Sequence, residues 1–376
     1  MIEGMDKGIL AIIMFITSCF GAGSPPDPNN YTIRWDKSSL EKVSADGYRY
    51  AGYARCRELA DGNLGLAYEA SGNILFRIRT EKGWKAPVLV AAETPGIGLA
   101  VPDFTVLENG DILLGYNPRP RRNTQGKHFG IRTVRSTDNG NTWKDDQLVY
   151  EAGTSFSDGC WEPVFLQLPD GDIQLYFADE SIFTQSNEQR IAMVSSADGG
   201  ATWSTEPKTV SFSEGSRDGM PVPIWLEKQK RIALAIEDNG FGPFKPYILY
   251  SEGKEWEEGV SRDSPKRLYA MADSLPQNDY AGAPYLAQAS NGLTLLSFQW
   301  GDKLENAQMA VAIGDDQVQN FTNTTWPFPL AKGKIGHWNS LMVLSDGKII
   351  ALTSTNGFSS NGQTEVWMIM GELSMK

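Results

Sequence analysis

The 376-residue sequence predicts an all-β protein, folded as a six-bladed β-propeller. Three observations support this prediction: a strand–turn–strand unit recurs six times, two octets of the form S-x-D-x-G-x-T-W repeat, and no segment has helical periodicity. The composition agrees, because 38 Gly and 20 Pro supply turns and 41% hydrophobic residues supply a large core. A jelly roll or a pair of β-sandwiches is the alternative fold.

The recurring unit is an apolar strand, a short turn and a second apolar strand, which is a β-hairpin signal. Its copies follow one another at roughly 50 to 60 residues, the spacing of four-stranded propeller blades. The copy at residues 224–236 has lost the turn glycine but keeps the hydrophobic pattern. The other five keep it, at Gly62, Gly110, Gly171, Gly292 and Gly347.

The two octets, STDNGNTW at 136–143 and SADGGATW at 196–203, are predicted to close the outer hairpins of the second and third blades. In each octet we expect the aspartate to accept backbone N–H bonds, the glycine to adopt a positive φ, and the tryptophan to fold back as a hydrophobic plug. These residues are Asp138, Gly140 and Trp143 in the first octet, and Asp198, Gly200 and Trp203 in the second. Residues 76–84 and 249–256 are degenerate versions. The octets stabilise blades and carry no chemistry.

The N-terminus has the pattern of an export signal. Lys7 precedes an apolar run at 9–16 that is too short to span a bilayer. The run ends in ITSC, which resembles a bacterial lipobox with Cys19 as the lipidated residue; an ordinary signal peptide is the alternative. We therefore expect a lipoprotein signal at 1–19, a polar tether at 20–30 and the propeller at 31–376. The mature protein would lie in the periplasm or at the cell surface, anchored by its lipid.

Charge and composition exclude several function classes. The net charge of −12 argues against nucleic acid as a partner. Two His and three Cys cannot assemble a Cys/His zinc site. Phosphate-loop, G-x-S-x-G and H-E-x-x-H motifs do not occur in the sequence. We expect no metal, no cofactor and a monomer. Cys56 and Cys160 would occupy a compartment that permits disulfides, and whether they pair is left open.

A site is predicted at one mouth of the central channel. In a propeller, the innermost strand of each blade begins at the mouth where the second strand ends, so polar residues at those positions should converge. Carboxylates, arginines and aromatic residues gather there, and such charged groups are costly to bury without a purpose. The strand starts supply Tyr53, Arg55, Asp103, Trp161, Glu162, Arg217, Asp218, Tyr280, Trp338 and Asn339; the strand ends supply Glu69, Asn117, Asp179, Glu180, Glu237, Asp238 and Gln299.

Two pairs of segments are the most distinctive, CWEPVF at 160–165 with YFADE at 176–180, and SRDGMPV at 216–222 with IED at 236–238. Here the chain resembles the exo-arabinanase branch of the sialidase-like propellers, glycoside hydrolase family 93, over roughly residues 45–360. The octets, known as Asp boxes or BNR repeats, point only to the wider superfamily. The resemblance implies a retaining exo-glycosidase that uses two glutamates and releases short arabinose units from an α-1,5-arabinan.

Retaining hydrolysis needs two carboxyl groups about 5 to 5.5 Å apart, one as nucleophile and one as acid/base. Glu237 is the first candidate, Glu162 the second and Glu180 the third, with the nucleophile left open. Asp103 and Asp218 would bind sugar hydroxyls or tune the pKa values of the glutamates. The remaining expected substrate contacts are Arg55 and Arg217, together with Trp161, Tyr280, Trp338 and Tyr53 as stacking surfaces.

Two alternative functions stay open. A sialidase clamps its substrate carboxylate with three arginines and attacks with a tyrosine late in the chain. Arg55 or Arg57 and then Arg217 could supply two of the arginines, but no arginine follows Arg267 and no tyrosine follows Tyr285. Lysine does not replace a bidentate arginine. A non-catalytic glycan-binding propeller would need aromatic residues but no carboxyl pair.

Overall fold

The chain forms the predicted six-bladed β-propeller. The computed structural model describes residues 25–122, 124–256 and 259–376, so the predicted signal and Cys19 lie outside the described residues. Six antiparallel sheets surround one channel, and the first strands of consecutive blades contact one another around the ring. Within the described ranges, the helices are the short 3-10 turns Pro28–Asn30 and Leu304–Asn306. No helix in this part of the chain is long and apolar enough to cross a membrane.

Each blade runs outward from the channel. Blade 1 consists of β2 (Ala51–Glu58), β3 (Leu64–Ala70), β4 (Asn73–Thr80), β5 (Gly83–Trp84) and β6 (Val88–Ala91). Blade 2 consists of β7 (Ile97–Val106), β8 (Ile112–Pro120), β9 (Gly130–Ser136) and β10 (Lys144–Glu151). Blade 3 consists of β11 (Cys160–Gln167), β12 (Ile173–Asp179), β13 (Arg190–Ser196) and β14 (Lys208–Ser211).

The second half of the ring repeats this order. Blade 4 consists of β15 (Asp218–Leu226), β16 (Arg231–Asp238), β17 (Lys245–Tyr250) and β18 (Arg267–Tyr269). Blade 5 consists of β19 (Tyr280–Gln288), β20 (Thr294–Gly301), β21 (Gln308–Gly314) and β22 (Thr322–Thr325). Blade 6 consists of β23 (His337–Val343), β24 (Ile349–Thr355), β25 (Glu365–Met375) and β1 (Tyr31–Lys42).

The two ends of the chain close the ring together. β1 pairs antiparallel with β25, from Tyr31 opposite Met375 to Lys42 opposite Trp367, and so becomes the outermost strand of blade 6. Trp35 packs flat against Gly371, where a larger residue would collide with its ring. The pairing of the first and last strands of the chain thus closes the ring of blades within blade 6.

All six predicted hairpins join the first and second strands of a blade. The five turn glycines have φ between 80° and 96°. In blade 4, Lys230 takes the equivalent position with a φ of 52°. A non-glycine residue can occupy this conformation at some cost, so the hairpin survives the loss of its glycine.

The octets form the outer hairpins of blades 2 and 3, as predicted. Asp138 Oδ1 accepts the Thr142 N–H at 2.8 Å, and its Oδ2 accepts the Thr142 hydroxyl at 2.7 Å. Asp198 makes the same two bonds with Thr202, at 2.8 and 2.6 Å. The Thr202 bonds lower the pKa of Asp198 to about 2. The aspartates therefore hold the turns as ionised acceptors, which agrees with a structural role.

Each octet also packs against the preceding blade. The Trp143 ring meets Phe76 of blade 1 edge-on at 5.2 Å, and Gly200 lies against Leu113 of blade 2. Trp203 instead packs on Phe165, in the innermost strand of its own blade, at 6.3 Å. The hairpins thus join neighbouring blades as well as closing their own.

Replacing Gly140 by alanine is expected to lower the free energy of unfolding by about 3 kcal/mol. Gly140 has a φ of 81°, and an added Cβ would overlap the buried ring of Phe76. Gly171→Ala is the matched control, because its φ is 92° but nothing lies within 4 Å of the added atom. That variant should lose only about 1 kcal/mol. If denaturant unfolding gave the same loss of stability for both variants, the overlap with Phe76 would add nothing to the cost of the substitution.

Cys56 and Cys160 are buried free thiols and do not pair with each other. Burial raises the pKa of the Cys56 thiol to about 12. Burial also raises the pKa of Cys160. Both cysteines therefore behave as small core residues with little thiolate character.

Candidate active site

A ring of residues in the left-handed conformation lies just inside one mouth of the channel. Each innermost strand contains an irregularity at which its pairing with the second strand shifts. One residue per irregularity has a φ between 49° and 53°: Tyr53, Val101, Glu162, Met220, Ala283 and Trp338. We call these six residues the floor ring. Five of them pack as one apolar cluster, and Glu162 brings a carboxylate to this level.

The blades are linked through the floor ring by hydrogen bonds. The N–H of a floor-ring residue is accepted by a second-strand side chain of the preceding blade, which orients that side chain toward the mouth. Glu237 Oε2 accepts the Ala283 N–H at 2.6 Å, and Gln299 Oε1 accepts the Trp338 N–H at 2.7 Å. Ser354 accepts the Tyr53 N–H at 3.2 Å, and Glu69 accepts the Val101 N–H.

Glu162 fills a gap in this pattern. The equivalent second-strand position of blade 3 is Ala178, opposite Trp161, and alanine has no acceptor. The Met220 N–H is instead accepted by the Glu162 side chain. Glu162 is therefore held toward blade 4, where Glu237 lies on the neighbouring strand pair.

Two glycines make room for the Glu237 carboxylate. A Cβ on Gly219, the cross-strand partner of Glu237, would lie 3.0 Å from Oε1. A Cβ on Gly282 would lie 2.5 Å from Oε2. The half-buried carboxyl group sits between these two backbones, where burial raises the pKa of Glu237 to about 8. The nearby charge of Glu162 acts in the same direction, whereas the Ala283 N–H and Arg217 oppose it.

The charges around Glu162 are different. Burial raises the pKa of Glu162, but the guanidinium groups of Arg119 and Arg217 and the Met220 N–H all lower it. Two guanidinium groups thus favour the ionised form of Glu162, and one of them, that of Arg217, also acts on Glu237. The two carboxyl groups belong to adjacent blades, and the charge of Glu162 contributes to the raised pKa of Glu237.

Glu180, the third predicted catalytic residue, holds other side chains in place. It is 3% exposed, and its Oε1 accepts the Trp161 indole N–H at 2.6 Å and Arg217 at 2.5 Å. Arg217 also donates to Gln189 Oε1 at 2.7 Å. These contacts favour a supporting role for Glu180, which holds Arg217 beside it.

Arg119 is a site residue that the sequence analysis missed. Its Nε donates to Asn117 Oδ1 at 2.6 Å, and its guanidinium lies 4.9 Å from the centre of the Trp161 ring. It also lowers the pKa of Glu69, which burial raises to about 7. The sequence signal that could have identified Arg119 was its position two residues after Asn117, because alternate residues of a strand lie on the same face of the sheet.

The prediction that Asp218 contacts sugar is wrong. Its side chain is fully buried and accepts two bonds from Arg267, at 2.8 and 2.6 Å. The Ser211 hydroxyl donates to it at 2.7 Å, and Arg267 also donates to Asp238 at 2.6 Å. Asp218 and Asp238 are opposite each other across β15 and β16, next to the pair of Gly219 and Glu237. Asp218 and Asp238 thus support the strand pair that carries Glu237.

Arg55 and Asp103 are also displaced from their predicted role. They are 2% and 1% exposed and lie two residues beyond the floor ring in their strands, deeper in the channel. Arg55 donates to the Ala54 carbonyl at 3.0 Å and lies over the Tyr285 ring. Asp103 accepts the Phe165 N–H at 3.1 Å. The floor ring separates both residues from the mouth.

The predicted aromatic residues divide into two groups. Tyr280 and Trp338 are half-buried at the mouth, where Gln299 donates to the Tyr280 hydroxyl at 3.2 Å. Trp338 stacks on Tyr53 with ring centres 4.4 Å apart. Trp161 is only 8% exposed and is covered by other side chains, so it cannot offer a free face to a sugar.

Comparisons with known proteins agree with this architecture. The BNR repeat-like domain family matches residues 122–224, about a quarter of the chain. A comparison with curated protein sequences gives no match. Among solved structures, the α-L-arabinofuranosidase Arb93A from Fusarium graminearum, in complex with an iminosugar inhibitor, has a TM-score of 0.67 at 18% identity, covering 88% of this chain and 97% of its own.

Two further structures have the same fold. An α-L-arabinanase from Penicillium chrysogenum, complexed with arabinobiose, has a TM-score of 0.62 at 18% identity over 92% of this chain and 98% of its own. The NanB sialidase from Streptococcus pneumoniae has a TM-score of 0.61 at 10% identity over 88% of this chain and 70% of its own. The sialidase-like propeller fold, shared with family 93 enzymes, is therefore confirmed.

Proposed function

We propose that the protein is a retaining exo-glycosidase that acts on neutral plant polysaccharide, most specifically an exo-α-1,5-L-arabinanase. The observation that carries this proposal is the pairing of Glu162 and Glu237 at the mouth. Each carboxyl group accepts an N–H of the floor ring, each is half-buried, and burial raises the pKa of each. Two such carboxyl groups are what double-displacement hydrolysis of a glycoside requires.

In this proposal Glu162 is the nucleophile and Glu237 is the acid/base. Burial raises the pKa of both groups; Arg119 and Arg217 oppose the rise at Glu162, whereas the pKa of Glu237 rises to about 8, so Glu237 is the group that still carries a proton near neutral pH. Glu237 donates its proton to the leaving oxygen as Glu162 forms an ester bond to the anomeric carbon. Glu237 then removes a proton from water, which attacks that carbon and releases Glu162 and the sugar with retained configuration.

The arrangement of the arginines supports a neutral sugar over a sialic acid. Arg55 lies beneath the floor ring, and Arg57 donates to Asp103 and Tyr285 at 3.3 and 3.0 Å. Arg217 is bound to Glu180. The arginines that could supply two of the three clamp positions of a sialidase are therefore already engaged or lie beneath the floor ring.

The proposal includes export and lipid anchoring at Cys19, which rest on the sequence of the first 19 residues alone. An extracytoplasmic location suits an enzyme whose polymeric substrate does not cross the membrane. Mass spectrometry of the mature N-terminus of the membrane-bound protein tests this part. An unmodified N-terminus without Cys19 would contradict it.

The function is tested by incubating purified residues 24–376 with linear α-1,5-arabinan and, in parallel, with sialyllactose. Chromatography of the released sugars should show arabinobiose or arabinose from the first substrate and nothing from the second. Release of sialic acid would make the protein a sialidase. Binding of arabinan without any release would make it a glycan-binding propeller.

The pH profile of kcat/KM on arabinan is expected to be bell-shaped, with its alkaline limb near pH 8. Burial raises the pKa of Glu237 from 4.5 to about 8, so the general acid loses its proton above that pH. Glu69→Gln is the matched control, because Glu69 occupies the same position in blade 1 and burial raises its pKa to about 7. If the alkaline limb disappeared in Glu69→Gln, the titrating group would be Glu69 and not Glu237, which would contradict the proposal.

A further inference from the structure

An exposed phenylalanine stands at the rim of the mouth, beside the candidate site. Phe156 lies in the loop 152–159, which connects β10 of blade 2 to β11 of blade 3 on the mouth side. Its side chain is 56% exposed. The ring therefore offers a free face to solvent where the predicted stacking residue, Trp161, offers none.

The loop that carries Phe156 is held in one conformation. The Gly153 N–H donates to the Asp158 carbonyl at 2.8 Å, and the Ser155 N–H donates to Asp158 Oδ1 at 2.6 Å. At Gly153 a larger residue would collide with the Asp158 carboxylate. The loop base is joined to blade 2, because the Ala152 N–H donates to the Phe129 carbonyl and the Phe129 N–H donates to the Gly153 carbonyl, both at 2.9 Å. A ring on such a loop binds without a large cost of ordering.

Phe156 is connected through one stack to side chains that support the candidate site. Its ring lies 5.6 Å from Trp161 at an interplanar angle of 22°, and Phe129 meets it edge-on at 5.1 Å. Trp161 in turn donates to Glu180, which holds Arg217. Phe156 is thus the outermost member of a row of packed side chains that begins at the mouth, and its exposed face is supported by that row.

From this geometry we propose that Phe156 binds a sugar ring of the substrate on the leaving-group side of the scissile bond. This inference rests on the proposed function. Five floor-ring residues pack as one apolar cluster beneath the site, so we expect the rest of the polysaccharide to leave over the rim. A sugar ring has an apolar C–H face and polar edges, and it can stack on an aromatic face of matching size.

The surroundings of Phe156 favour a glycan over a protein partner. Ser155 and Ser157 flank the ring on the exposed loop, with their hydroxyls 2.9 Å apart. One aromatic face bordered by hydroxyl groups suits a single sugar ring, whereas protein interfaces bury much larger areas around an apolar centre. The expected ligand is therefore a neutral oligosaccharide.

The test compares a long and a short substrate in Phe156→Ala, Phe156→Leu and Phe156→Trp. For linear α-1,5-arabinan, kcat/KM should fall about five- to tenfold in the Ala and Leu variants and be preserved in Phe156→Trp, which keeps a flat ring. For α-1,5-arabinobiosyl fluoride, whose leaving group is a single atom and makes no contact with the rim, all three variants should match the wild type. Leu148→Ala, which removes a 47% exposed side chain from β10, is the control for both substrates.

Binding measurements separate failure of this inference from failure of the proposed function. Wild type and Phe156→Ala are titrated calorimetrically with arabinohexaose and screened on an array of neutral oligosaccharides. Weaker binding by Phe156→Ala, even to a glycan that is not hydrolysed, supports the inference. Unchanged hydrolysis of arabinan by Phe156→Ala overturns the inference and leaves the function standing. A wild type that binds no glycan contradicts both.

Discussion

Replacing Glu162 by glutamine is expected to reduce the hydrolysis of arabinan by at least about 10⁴-fold, because an amide cannot take over the role of Glu162 in forming the ester to the anomeric carbon. The substitution keeps the size of the side chain and an oxygen that can accept the Met220 N–H. The floor ring should therefore persist, and the affinity for arabino-oligosaccharides should change little. Single-turnover hydrolysis and calorimetric binding measure the two quantities separately.

Comparison with Glu237 distinguishes the two roles. Glu237→Gln should lose about 10²- to 10⁴-fold on arabinan and much less on a substrate whose leaving group needs no proton. Azide should restore turnover in Glu162→Gly with inverted configuration of the product, and in Glu237→Ala with retained configuration. Glycine suits position 162, since Glu162 has a φ of 53°. The opposite pair of configurations would exchange the two roles.

Glu69→Gln supplies the control for both experiments. Glu69 and Glu237 are opposite Gly52 and Gly219 in equivalent strand pairs, and each accepts an N–H of the floor ring. A loss shared by all three glutamine variants would point to damage of the floor ring. A loss confined to positions 162 and 237 would point to chemistry.

The blades were predictable because their signals are local. A turn with a positive φ between two apolar strands needs only a few adjacent residues, and Lys230 shows that the hydrophobic pattern outlasts the glycine. The octets are equally local, since their aspartates bond to residues four positions later. The closure of blade 6 by β1 was not predicted, because it joins residues from opposite ends of the chain.

The site was predictable only in outline, because the floor ring changes the direction of every innermost strand. The irregularity directs the Glu162 side chain toward the mouth and leaves Arg55 and Asp103 beneath the floor ring, although all three are polar residues near a strand start. No local pattern marks the left-handed residue. Its occupants range from Ala283 to Trp338, so their chemistry does not identify the position.

Contacts between distant strands explain the other misses. The partner of Asp218 is Arg267, 49 positions later in the outermost strand of blade 4. Trp161 loses its free face to Phe156, which precedes it on a loop rather than in a strand. In both cases the residue type indicated a functional role, and the tertiary neighbour determined what the side chain does.

Replacing Arg267 by methionine is expected to lower the free energy of unfolding by about 3 to 5 kcal/mol, because two buried aspartates would lose their cation. The Arg267, Asp218 and Asp238 side chains are all 0% exposed. Methionine can fill much of the vacated volume but cannot bond to a carboxylate. The matched control is Arg132→Met, which breaks the half-exposed pair with Asp146 and should cost less than about 1 kcal/mol.

The pH dependence of this variant separates loss of charge from loss of packing. Burial raises the pKa of Asp218, whereas its bonds to Arg267 lower it. Without the arginine this pKa must rise further, so the folded variant binds a proton more tightly than the unfolded chain does. The variant should therefore recover stability relative to the wild type as the pH falls toward the ordinary pKa of aspartate. A deficit that is constant between pH 5 and 8 would mean that Arg267 contributes packing alone, and that the buried carboxyl groups behind Glu237 do not depend on its charge.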